Sequence, residues 1–86
     1  MKLKLEFVKR EIAGECFLVP VGAAAKKYSG LFAMNEQAAF LWDKLPDAPD
    51  EAALTAALLE EYEVEPDEAA RDTAEFIGKL KDMGIV

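Results

Sequence analysis

The sequence predicts an α+β domain in which a three-stranded antiparallel sheet is followed by a three-helix bundle. Three observations lead there. Apolar and polar residues alternate near the start of the chain, the apolar period changes from two to 3.6 at Asn35, and every strand-like run precedes every helix-like one. With 86 residues the chain can bury one core but not two, so residues 1–86 are expected to form a single domain.

The first strand is expected from Leu3 onward. Leu3, Leu5 and Phe7 alternate with Lys2, Lys4 and Glu6, the pattern of a half-buried strand that could run as far as Ala13. Gly14 and Glu15 supply a turn, and Cys16, Phe17, Leu18 and Val19 form a second strand closed by Pro20. Residues 22–27 are expected to be a loop and residues 28–34 a third strand. Strict alternation there sends Phe32 and Met34 inward and leaves Leu31 and Ala33 facing out. Tyr28, Leu31, Phe32, Ala33 and Met34 together are more apolar than one buried face requires.

Asn35 stands at the N-cap of the first helix, whose face carries Ala38, Leu41, Trp42 and Leu45. The run Pro46, Asp47, Ala48 and Pro49 stops it. Asp50 caps a second helix with Leu54, Ala57, Leu58 and Tyr62 on its buried stripe. Pro66 suits the first position of a third helix, and Asp67 and Glu68 complement its positive end. Its stripe is Ala69, Thr73, Phe76, Ile77 and Leu80. Gly84 ends it, leaving Ile85 and Val86 to cover the core.

Charge divides the chain in two. Residues 1–34 hold six basic and three acidic residues, net +3, whereas residues 35–86 hold four basic and fourteen acidic ones, net −10. A helical segment this acidic repels phosphate backbones, so a winged-helix DNA-binding role, which the same order of elements would allow, is disfavoured and no nucleic-acid partner is expected. The longest apolar stretch, residues 16–25, is broken by Pro20 and Gly22 and is well below the roughly 20 residues that span a bilayer. With no apolar signal core at the amino terminus and a single cysteine, a cytoplasmic protein without a membrane partner is expected.

The side chains of common catalytic constellations are scarce. There is no histidine, one cysteine (Cys16) and one serine (Ser29), with no imidazole to activate either and no Cys/His spacing for zinc or an iron–sulfur cluster. Neither glycine-rich phosphate motif occurs. Glu60, Glu61, Glu63 and Glu65 read as a solvated acidic face, Cys16 as a small strand hydrophobe and Trp42 as a core residue. The expectation is a protein without enzymatic activity, metal or cofactor, whose work is binding.

The same residues carry a family resemblance. Residues 10–15 in a hairpin, then Val19, Pro20, Val21 and Gly22, then Met34, Asn35 and Glu36 leading to Leu41, Trp42 and Leu45, resemble the PqqD-like family. The match continues through Leu54, Leu58, Glu61, Tyr62 and Pro66 to Asp72, Phe76, Ile77, Leu80 and Gly84. Two departures are the alanine-rich residues 22–25 and a glutamate, not the more usual aspartate, before Pro66.

The resemblance implies a winged helix-turn-helix-like domain, the recognition element of ribosomally made peptide pathways. Such an adaptor binds the leader of a precursor peptide as an added strand and presents it to a modifying enzyme, commonly a radical S-adenosylmethionine (radical SAM) enzyme. It further implies a groove between the third strand and the third helix. On this sequence its expected lining is Tyr28, Leu31, Phe32, Ala33 and Met34 from the strand, with Ala70, Ala74, Ile77 and Lys81 from one flank of the helix. A rival reading is a small structural subunit of an enzyme complex that binds its partner without any peptide.

Overall fold

The computed structural model describes residues 1–86. Strands β1 (Phe7–Ile12), β2 (Glu15–Pro20) and β3 (Phe32–Met34) form one antiparallel sheet in the order β1-β2-β3. A short helix α1 (Ala23–Lys27) lies between β2 and β3. Helices α2 (Glu36–Lys44), α3 (Glu51–Glu61) and α4 (Pro66–Asp82) follow, with a 3-10 turn at Leu45–Asp47 after α2.

The hairpin between β1 and β2 turns on Ala13 and Gly14, both at positive φ, 53° and 82°. Glycine tolerates that conformation, whereas alanine does so only at some cost. Register then decides the faces. Phe7 pairs with Pro20 and Lys9 with Leu18, while Leu18 also pairs with Phe32 and Cys16 with Met34. Residues directly opposite share a face, so Phe7, Leu18, Phe32 and Met34 face the helices and Ala33 faces away with Phe17. The alternation expected for Leu31 to Met34 holds: Phe32 and Met34 are half-buried, Leu31 and Ala33 exposed.

Three differences from the sequence expectation have local causes. Residues 23–27 form a helix, not a loop, because three successive alanines favour it and Lys26 and Lys27 suit its carboxyl end. The first strand begins at Phe7, not Leu3, since the segment before it bonds elsewhere: the Lys4 amide donates to the Ile85 carbonyl at 2.6 Å. The third strand is confined to Phe32–Met34 because Gly30, at φ 88°, breaks the extended run after Tyr28.

The helix boundaries follow the cap residues. Asn35 Oδ1 accepts from the Ala38 amide at 2.8 Å and Asp50 Oδ1 from the Ala53 amide at 2.9 Å, satisfying donors that a helix start leaves free. Glu65 makes no side-chain cap, and α4 starts instead on Pro66, whose missing amide costs nothing at that position. At its other end Gly84 takes φ 75°, the Ile85 amide bonds the Leu80 carbonyl and the Gly84 amide that of Lys81. This is a Schellman closure, and it buries Ile85 beside Leu80.

The core lies between the inner sheet face and the helices. Leu41, Leu45, Leu54, Leu58, Ile77 and Ile85 are fully enclosed, and Phe7 and Leu18 meet them from the sheet. Trp42 is buried among them, consistent with a packing role. No helix is long and apolar enough to cross a membrane.

Candidate functional site

β3 is an edge strand, so one side of its backbone has no strand partner. No turn or loop hydrogen bond reaches Leu31, Phe32, Ala33 or Met34 either. β1 also has a free edge, but Lys9, Arg10 and Glu11 blunt it with charge, whereas residues 31–34 carry none. Leu31, 50 % exposed, is one of three large apolar side chains left open.

Where β3 runs into α2, a cleft of about 170 Å³ opens between α2 and α4. Asn35, Gln37, Ala38 and Leu41 line one wall, and Asp72, Glu75, Phe76 and Lys79 the other. Its floor is apolar, from Ala38, Leu41 and Phe76, and its rim is charged. A second, larger hollow of about 620 Å³ lies between the inner sheet face and the start of α2, bordered by Cys16, Met34 and Ala39 with three glutamates. No cluster of three or more His, Cys, Asp or Glu side chains is arranged to hold a metal ion.

The residues expected to line a groove divide accordingly. Leu31 and Ala33 are exposed beside the open edge. Phe32 is turned inward, in edge contact with Phe7 and Tyr28 at centroid distances of 6.0 and 5.7 Å. Tyr28 is committed to the same cluster, and its hydroxyl donates to the Met83 carbonyl at 2.6 Å. Met34 borders the larger hollow. Ile77 is 1 % exposed and packs in the core. Ala70, Ala74 and Lys81 are exposed but absent from the cleft wall. Ala74 lies two positions before Phe76, about 200° of helical rotation, so that flank points away from the cleft.

The wall residues Asp72, Glu75 and Lys79 were not among the expected set. They recur at three- and four-residue spacing, which marks a stripe of α4 but not which flank meets α2. Burial raises the Tyr62 hydroxyl above its ordinary pKa, with Glu36 and then Glu61 adding to the effect.

The sequence matches the family model "Coenzyme PQQ synthesis protein D (PqqD)" over residues 15–86. The chain belongs to the PqqD family. Among solved structures, this PqqD-family chain is similar to one titled "Lasso peptide synthetase B1 complexed with the leader peptide", at 26 % identity and a TM-score of 0.72. The likeness covers 98 % of this chain and 93 % of that one, so it extends over sheet and helices alike. No curated protein matches the sequence.

Proposed function

We infer that this PqqD-family chain is a non-catalytic adaptor that binds the leader of a ribosomally made precursor peptide and presents it to a modifying enzyme. The observation that carries this reading is the uncharged, unpaired edge of β3 beside a cleft of side-chain size. An extended peptide added there exchanges backbone hydrogen bonds with β3, and these supply affinity without reading sequence. Selectivity then comes from side chains entering the cleft over Ala38, Leu41 and Phe76. The match to the family and the likeness to a leader-bound synthetase component support the same reading.

In its finer form the proposal makes the enzyme a radical SAM protein. The likeness to a lasso peptide synthetase component favours a wider version, in which enzymes of another class use the same adaptor. An enzyme encoded beside this chain that carries no iron–sulfur cluster would confine the proposal to that wider version.

Calorimetric titration with the leader of the precursor encoded beside this chain tests the function. Saturable one-to-one binding to the isolated chain is expected, weakened at least tenfold by Ala33→Pro if its amide faces the peptide. Binding of the enzyme alone, with no heat from the leader, would favour the structural-subunit reading.

A further inference from the structure

The hollow between the sheet and α2 has one sign of charge around an apolar floor. Glu11, Cys16 and Met34 are register partners across the three strands, so they form a row on the inner sheet face. Glu36 and Ala39 of α2 face that row, while Glu15, paired with Ile12 on the other face of the sheet, borders only the mouth. No lysine or arginine lines it. The nearest basic residue on the inner face of β1 is Lys9, and its ammonium is taken by Asp43 at 2.5 Å. The positive end of α2 offsets only about half a charge, which leaves Glu11 and Glu36 largely uncompensated.

The hollow also borders the proposed binding edge. Ala33, Met34 and Asn35 belong to its lining, so a strand paired with β3 reaches its mouth within one or two residues, at about 3.3 Å each. Its volume of about 620 Å³ admits a long side chain with accompanying water, unlike the smaller cleft beside α4.

Resting on the strand-addition reading, we propose that this hollow receives a lysine or arginine side chain of the bound leader. The aliphatic stem lies on Cys16, Met34 and Ala39, and the charged head sits between Glu11 and Glu36.

The test uses the synthetic leader of the neighbouring precursor, with each Lys and Arg replaced in turn by Gln, titrated against the native chain and the double variant Glu11→Gln/Glu36→Gln. One leader substitution is expected to weaken binding about five- to tenfold, the protein variant to weaken native leader by a similar factor, and the two together to do little more than either alone. Both losses should shrink in 0.5 M salt. A leader without basic residues that binds as tightly, losses that simply multiply, or substitutions that all stay within twofold would overturn the proposal. So would a protein variant that impairs only enzyme binding, since the hollow would then serve the enzyme.

Absence of any leader binding would instead sink the adaptor reading. In that case N-acetyl-argininamide, followed by amide NMR, addresses the hollow directly. Saturable shifts at Cys16, Met34 and Ala39 that vanish in the double variant and with N-acetyl-citrullinamide would sustain it as a cation site. Shifts of equal size over all the acidic surfaces, or none, would overturn it.

Discussion

The hydroxyl of Tyr28 donates to the carbonyl of Met83 at 2.6 Å, tying the segment before β3 to the carboxyl end of α4. The two are 55 residues apart in sequence, so the bond holds the sheet edge against the last helix. Tyr28→Phe keeps the ring contacts with Phe7 and Phe32 and removes only this bond. A loss of about 1 kcal/mol in urea denaturation is expected, or roughly 4–8 °C in Tm. No change in either measurement would mean that the bond contributes nothing to the fold.

Thr73 presents the opposite situation. Its Oγ1 is fully enclosed within α4 and has no hydrogen-bond partner, a desolvation cost without compensation. Thr73→Val preserves the branched shape and removes the polar atom. Stability is expected to rise by roughly 0.5–1 kcal/mol. A loss above 1 kcal/mol in the same denaturation assay would show that the hydroxyl is bonded in solution.

Two helix substitutions separate the flanks of α4 and its neighbour. Ala38→Leu fills the cleft between α2 and α4 and is expected to weaken leader binding by tenfold or more, with a small change in stability. Ala74→Arg lies on the exposed flank about 200° from Phe76 and should leave affinity within twofold. The reverse ranking by calorimetry would move the peptide to the Ala70, Ala74 and Lys81 face.

What was legible in the sequence is what local chemistry decides. Asn35, Asp50 and Pro66 announce helix starts through their own side chains, and Gly84 announces the stop, so α2, α3 and α4 were readable without tertiary information. The alternation of Leu31 to Met34 survived for the same reason. The alanines of α1 look loop-like only because Gly22 precedes them, and Gly30 shortens β3 through a backbone angle that composition does not display. The site was harder. Which flank of α4 meets α2, and that Tyr28 and Ile77 are spent on packing, depend on contacts between distant segments.

Hydrogen exchange of the chain with and without the leader tests strand addition most directly. An added strand must engage free backbone groups of β3, so amides in residues 31–35 are expected to exchange at least tenfold more slowly in the complex, with lesser protection around the wall residues of α4. The outer edge of β1 should be unchanged. Tight leader binding that protects residues 7–12 but leaves residues 31–35 as they were would contradict the assignment of β3 as the docking edge.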